Sequence, residues 1–371
     1  MVDELHFQLS QLESNFKDKN LNCYFLNGSH EVLSKAYSIN LKNMNYRVLG
    51  KTGWQVSEVG LGTWQVGGGW GKTFDLKKAD LILHTAFDHG VNFVDTADVY
   101  DGGLSEAAVG KAVRERSEKI YIATKCGRRI QPHVNEGYTP ERLRKYVEDS
   151  LRNLGVEQID LVQLHCPPGP VYLRSEIFSL FEDLKREGKI AAMGVSVERI
   201  NEAMTAMKYD IVSTVQIIFN LFRQRPAEVF FRHAKVNNVG LIIRVPLASG
   251  LLTGKITRDT HFSRDDHRHF NREGKAFDKG ETFSGVPLEK AFPAVEELKG
   301  EFCGNVDLAA QALRWILMFE EVGTVIPGAS SPEQVVQNVQ AANLPPLSAS
   351  QMKAAEAVYV KYIKEEVHNL W

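Results

Sequence analysis

The chain has 371 residues, 43% of them hydrophobic and 24% charged, with a formal net charge of -2. That composition suits a globular protein with a sizeable core, and the balance of charge excludes the basic stripe that follows a nucleic-acid backbone. No stretch approaches the ~20 apolar residues of a membrane helix, so no membrane partner is expected. The polar start, Met1 to Asn20, lacks the basic and apolar regions of a secretory signal. Four cysteines (Cys23, Cys126, Cys166, Cys303) have neither CxxC nor metal-finger spacing. The expectation is a cytoplasmic protein with reduced thiols and no metal.

In chain order, residues 1–43 are rich in Asn, Ser and Lys and read as an N-terminal extension, with a helical pattern around Glu4–Phe16. Residues 44–371 follow a different grammar. Tyr46–Leu49 and Trp54–Ser57 flank Gly50-Lys51-Thr52-Gly53, a hairpin signal that in a barrel would cap the N-terminal end. Apolar strand candidates then recur at Val56–Leu61, Asn92–Asp95, Lys119–Thr124, Ile159–Leu164, Ala191–Val195, Thr214–Ile218, Leu241–Val245 and Thr324–Ile326. Amphipathic segments separate them: Lys77–His89, Pro140–Leu154, Ser175–Glu187, Ile200–Lys208, Ala227–Asn237, Val306–Phe319 and Pro332–Ala342. Strands alternating with helices imply βαβ units, and eight of them imply an α/β fold, a (β/α)8 TIM barrel. The rival, a doubly wound open sheet, needs a GxGxxG turn, and the run Gly67–Gly71 does not fit it. A long aperiodic loop, Gly254 to Pro287, follows the seventh strand, and Ala349–His368 reads as a terminal helix.

Polar residues sit where the strands end. Asp95 ends the second strand, Lys125 the third and His165 the fourth, while Tyr100 lies in the loop leaving the second. Active sites of this fold lie at the C-terminal rim, where these four converge. Taken singly, each has a bland reading: Asp95 as a helix cap, Lys125 as a surface lysine, Tyr100 and His165 as packed side chains. Taken together they form a chemical device, because a buried Asp and a buried Lys need one another. A carbonyl under reduction needs a proton on oxygen. Tyrosine can give one, but its ordinary pKa of about 10 is high. An ammonium at ~4 Å is worth roughly 4 kcal/mol to the phenolate, equivalent to about 3 pKa units. Lys125, oriented by Asp95, is placed for that, and His165 for a hydrogen bond to the carbonyl oxygen. Hydride must come from a cofactor.

At this point the sequence resembles the aldo-keto reductase superfamily across about Tyr46–Ala342, in pattern nearest to bacterial-type members with Arg at the seventh-strand position. The matching runs are Gly60-Leu61-Gly62-Thr63-Trp64, Phe93-Val94-Asp95-Thr96-Ala97-Asp98-Val99-Tyr100 with Ser105-Glu106, Ala123-Thr124-Lys125 and Leu164-His165. Further on come Met193-Gly194-Val195-Ser196, Pro246-Leu247, Gly250-Leu251-Leu252-Thr253-Gly254-Lys255 and Val325-Ile326-Pro327-Gly328-Ala329. The resemblance implies reduction of an aldehyde, ketone or sugar carbonyl by NADPH, with NADH possible, through a tetrad of Asp95, Tyr100, Lys125 and His165 with Tyr100 as general acid. It also implies that Ser196 and Gln216 hold the nicotinamide carboxamide, and that Leu247, Gly250 and Lys255 lie along the pyrophosphate. Gly328, Ala329, Ser330, Gln334, Gln337 and Asn338 would surround the adenosine end, where the last helix starts. The long loop would fold over the cofactor. Trp64, after the first strand, is the candidate for substrate contact; Trp70, Phe219 and Phe222 could line the same mouth or simply pack.

Three positions depart from the family pattern. Val197 stands where relatives often have Asn. Arg244 stands where many have an aromatic residue under the nicotinamide. A guanidinium can stack there, but it should repel the oxidised, cationic ring and so favour the reduced cofactor and the reductive direction. No Lys or Arg stands at the places matching the ribose 2′-phosphate contacts, where Gly328 and Gln334 occur near Ser330 and Ser331. His261, His267 and His269 with Asp265 and Asp266 raise a metal, though nothing fixes their geometry. Glu58, Arg128 and Arg129 could touch substrate or solvent. Two other functions compete with the reductase: a cofactor-sensing regulatory barrel like the potassium-channel beta subunits, and a glycosidase, for which Asp95 lacks a second strand-end carboxylate. The sequence specifies no particular substrate and no oligomer.

Overall fold

The computed structural model describes residues 44–68, 73–302 and 306–371. The expected extension 1–43, with Cys23, and the positions Trp70 and Cys303 lie outside the described residues. Strands β1 (Tyr46–Val48) and β2 (Gln55–Ser57) pair antiparallel around Gly50–Thr52. From this hairpin Leu49 and Val56 pack with Phe93, Ala123, Leu161, Ala192, Ile242 and Ile326, all buried, and plug the N-terminal end of the barrel. Arg47 fastens the plug. It ion-pairs with Glu58 and donates to the carbonyls of Leu317, Phe319 and Val322 beyond a helix C-terminus.

The barrel runs β3 (Leu61–Gly62), β4 (Phe93–Asp95), β5 (Tyr121–Cys126), β6 (Ile159–His165), β7 (Ile190–Ser196), β8 (Val212–Ile218), β9 (Gly240–Arg244) and β10 (Val322–Val325). All neighbours in this order pair in parallel. Parallel bridges Val59–Val325 and Gly62–Gly328 close the ring. Outside it lie helices α1 (Leu76–Asp88), α2 (Leu104–Arg114), α3 (Pro140–Leu154), α4 (Ser175–Arg186), α5 (Ile200–Ala206), α6 (Phe230–Val236), α7 (Leu288–Phe302), α8 (Leu308–Leu317) and α9 (Pro332–Gln340). Ala349–Val358 begins a terminal helical segment that continues to Val367. Among the described residues no helix is long and apolar enough to cross a membrane.

The period of two along each strand decides what faces the site. On β6, Val162 and Leu164 turn outward into the layer shared with the helices, the same buried cluster that holds Leu143, Phe178 and Phe181. Leu161, Gln163 and His165 alternate inward. Burying each large outward side chain contributes about 2 kcal/mol, so the outer layer fixes which face is which. Three elements differ from expectation. Val56–Leu61 is two strands, one in the hairpin and one in the ring. Helix α2 was not anticipated because its buried stripe of Ala108, Val109 and Ala112 gives a weak period. Helix α7 was hidden by Pro293 within it.

Candidate active site

The ends of β4, β5 and β6 bring Asp95, Lys125 and His165 to one rim, all buried. Lys125 Nζ is bonded to Asp95 Oδ1, donates to the Thr96 carbonyl at 2.8 Å, and reaches Tyr100 Oη at 3.5 Å. The other oxygen of Asp95 accepts from Gln163 Nε2 at 3.1 Å and from Gln216 Nε2 at 2.8 Å. Burial works against the Lys125 ammonium, but Asp95 and then Tyr100 outweigh it and hold its pKa above the usual value. Burial raises the Tyr100 phenol, and Lys125 pulls against that without overcoming it. The sequence-based expectation of a lowered phenol therefore differs from the structure. Its physical reason is burial, which withdraws the phenol from water, with Asp95 offsetting part of the ammonium's field. Burial, then Arg128, Lys125 and Arg244, hold His165 well below the usual imidazole value, so its ring is neutral. The Tyr100 and His165 rings meet edge to face at 6.0 Å. Nearby Asp98 is buried with both oxygens unpartnered. Burial and then Glu106 push it up to about 8, so it carries a proton at neutral pH.

A cleft of about 1740 Å³ leads away from these residues. Trp64, Tyr100, His165, Gln216, Arg244, Leu247, Gly250 and Lys255 line it, followed by Gly328, Ser330, Gln334, Gln337 and Asn338. Of the expected cofactor contacts, Ser196 and Ala329 lie beneath this surface, both buried. Ser196 Oγ donates to Gln216 Oε1 at 3.4 Å, and Ala329 packs in the outer core. The cleft fits a dinucleotide. A Cβ built on Gly328 would meet nothing closer than 3.8 Å, so that wall stays open, and Arg244 Nε is a buried donor without a partner. At the far end Ser330 N and Oγ both donate to Gln334 Oε1, at 2.8 and 3.1 Å. Lys255, also on the cleft wall, is paired with Asp307 at 3.6 Å.

Several residues of the rim were not anticipated from the sequence. Gln163, two positions before His165 on an inward face, was legible from the alternation and was overlooked. Glu198 and Glu281 gave no signal. Arg244 Nη2 lies 2.9 Å from Glu198, and Nη1 lies 3.4 Å from Glu281. Arg128 grips Glu281 through Nη1 and Nη2 at 3.1 and 2.6 Å. Other candidates fall away from the site. Phe219 and Phe222 are core side chains, Phe219 stacked on Trp315 at 4.9 Å. Glu58 serves the hairpin, and Arg129 faces Tyr146 and Asp149. Trp64 meets His267 edge-on at 5.1 Å. Among the described residues the histidines and aspartates of residues 261–269 form no three-ligand group. Cys126 and Cys166 are buried free thiols, and burial holds both above the usual value.

Tyr100, a neutral His165 and the Asp95–Lys125 pair meet at the inner end of this cleft, beside room for a hydride-carrying dinucleotide; fold and site together define a barrel oxidoreductase. Comparison with known proteins agrees. The sequence model of the Aldo/keto reductase family matches residues 58–360. The chain is 33% identical over 304 residues to the aldo-keto reductase YhdN of Bacillus subtilis, covering 79% of this chain and 87% of that one. It is 30% identical over 317 residues to the NADH-specific methylglyoxal reductase of Escherichia coli, covering 80% and 93%. The solved glycerol dehydrogenase of Gluconobacter oxydans superposes with a TM-score of 0.68 at 31% identity, covering 86% and 95%. The chain belongs to the aldo-keto reductase family, and it is an NAD(P)H-dependent oxidoreductase.

Proposed function

We propose that this enzyme reduces the carbonyl of a small aldehyde, ketone or sugar with NADPH, accepting NADH as well, and that Tyr100 is the general acid. The observation that carries this reading is the buried Lys125 ammonium held between Asp95 and the Tyr100 hydroxyl. When bound, the nicotinamide supplies hydride to the carbonyl carbon. Ser196, Gln216 and Arg244 would hold the nicotinamide end, Leu247, Gly250 and Lys255 the pyrophosphate, and Gly328 to Asn338 the adenosine end. Backbone at Ala329, rather than its buried methyl, would make that contact.

The proton chemistry belongs to the chain's own side chains. Tyr100 keeps its proton at neutral pH because burial raises its pKa. It releases that proton only as negative charge gathers on the carbonyl oxygen. Lys125 then faces a phenolate, and Asp95 keeps the ammonium in place. Neutral His165 can donate a hydrogen bond to the same oxygen without bringing a second mobile charge. NADH acceptance follows from the adenosine end. There the hydroxyl and amide of Ser330 and Gln334 bond each other, and among the described residues no Arg or Lys is hydrogen-bonded to either. The E. coli methylglyoxal reductase relative is itself NADH-specific.

The test follows NADPH and NADH absorbance against aldehydes, ketones and aldoses, with wild type and Tyr100→Phe. Carbonyl-dependent oxidation that falls by about three orders of magnitude in the variant is the expected result. Cofactor binding without turnover on every carbonyl would overturn it and favour a sensor.

A further inference from the structure

The ion pair between Arg128 and Glu281 has an unusual place. Arg128 leaves β5, the third strand of the ring, and Glu281 belongs to the connection after β9, the seventh. In a closed ring of eight these strands stand opposite each other, so the pair spans the barrel mouth. It is bidentate, at 2.6 and 3.1 Å. Glu198, from the loop after β7, joins it by facing Arg244 at 2.9 Å and Arg128 at 3.7 Å. Several bonds hold the Glu281 segment down. Ser249 Oγ donates to the Glu281 carbonyl at 3.1 Å, Asn220 Nδ2 donates to Ser284 Oγ at 2.8 Å, and Trp371 Nε1 donates to Asp278 Oδ1 at 2.8 Å.

The pair stands close over the reacting groups. Arg128 and Glu281 line the same cleft as Tyr100 and His165. Arg128 acts on the charge of both, and Glu281 on that of Tyr100. A carbonyl compound bound to Tyr100 and His165 therefore carries its remaining atoms up against a carboxylate and a guanidinium. Two N–H groups of Arg128 are taken by Glu281, and a guanidinium has five. A hydroxyl or second carbonyl next to the reacting one can accept from the rest. An alkyl chain pressed there removes water from both charges and returns no hydrogen bond.

We propose, building on the reductase reading above, that Arg128 and Glu281 are specificity-determining residues. Their ion pair is a charged ceiling over the reacting carbonyl, and it selects small carbonyl compounds with a neighbouring hydroxyl or carbonyl over long-chain apolar aldehydes. The test measures kcat/KM for glyceraldehyde, methylglyoxal and octanal at saturating NADPH, in wild type and in Arg128→Met/Glu281→Leu. NADPH affinity is read independently by quenching of protein fluorescence. Wild type should favour the two polar substrates, and the double variant should move the polar-to-octanal ratio toward octanal by about tenfold or more. Glu281→Gln keeps the shape and removes one charge, so it tests the idea even where the double variant does not fold; its ratio should move the same way by about threefold. Arg128→Lys/Glu281→Asp, which keeps both charges, should retain the polar preference. A ratio unchanged in the folded variants, or all three substrates losing rate in parallel, overturns the proposal while leaving the reductase reading intact. Wild type that binds NADPH and reduces none of the three overturns both.

Discussion

Replacing Lys125 by Met tests the central charge arrangement, because two effects of different origin follow and can be separated. The ammonium lies 3.5 Å from Tyr100 Oη. At an effective dielectric of about 20, a unit charge at that distance favours a phenolate by about 5 kcal/mol. Asp95, bonded to the same ammonium, cancels part of this. A net loss of about 3–4 kcal/mol, or two to three orders of magnitude in kcat, is therefore expected. Stability should fall as well. The variant leaves Asp95 buried with only Gln163 and Gln216 as partners, and breaking a buried pair from one side costs about 3–5 kcal/mol. Adding Asp95→Asn removes the stranded charge, so the double variant should regain most of the urea midpoint while staying catalytically poor. The assay pairs single-turnover NADPH oxidation with equilibrium unfolding. If the folded double variant keeps kcat within about tenfold of wild type, Lys125 does not stabilise a phenolate and the electrostatic argument fails.

Arg47→Ala strips a buried-edge carboxylate and three carbonyls of their donor, for a loss of about 3–5 kcal/mol and roughly 10 °C in Tm. Its kcat should stay within about twofold, since Arg47 lies at the opposite end of the barrel from the cleft; calorimetry and steady-state rates check the two halves. For pH, burial brings His267 down to about 4. Its folded pKa lies below the unfolded one, so stability is complete above about pH 6.5 and is lost as pH falls toward 4. Between about pH 7.5 and 5 this amounts to about 2 kcal/mol, with His165 adding in the same direction, and His267→Gln should flatten the urea midpoint's dependence on pH.

The fold was legible where pattern and packing agree. Helix α3 carries Thr139 as its cap, Pro140 at its first position and Gly155 in the left-handed conformation at its end, and its boundaries match expectation at both ends. The tetrad positions were legible because a charged residue closing an apolar parallel strand has few inexpensive places to go. What stayed hidden rests on long-range pairing. Glu281 lies in an aperiodic loop, and only the closed ring brings it across to Arg128, more than a hundred residues earlier. Helix α2 hid because a close helix–helix approach selects small residues: a Cβ on Gly110 would lie 1.9 Å from the Leu154 carbonyl oxygen, and the same closeness leaves little hydrophobic period to read.

Arg244 shows how one unseen partner changes a chemical inference. As a lone cation beneath a nicotinamide it would repel the oxidised ring and favour the reduced one. The structure gives it Glu198 at 2.9 Å and Glu281 at 3.4 Å, with a further bond to the Val197 carbonyl at 3.1 Å. Burial works against its charge, and Glu198 with its other acidic neighbours, Glu281 among them, together outweigh burial, so the guanidinium stays ionised. With both carboxylates ionised, Arg244 and Arg128 against Glu198 and Glu281 present a charge-balanced surface to whatever lies on it. Burial, opposed by Arg244, pushes Glu198 up to about 8, so at neutral pH most of it carries a proton, the group holds a net positive charge, and balance is reached only above about pH 8. Discrimination between oxidised and reduced nicotinamide by Arg244 should therefore be largest at and below neutral pH and fade above about pH 8. Arg244→Trp should then shift NADP+ and NADPH affinities together at about pH 9, measured by fluorescence quenching. A variant that strengthens NADP+ binding alone at that pH would mean the carboxylates do not screen the guanidinium.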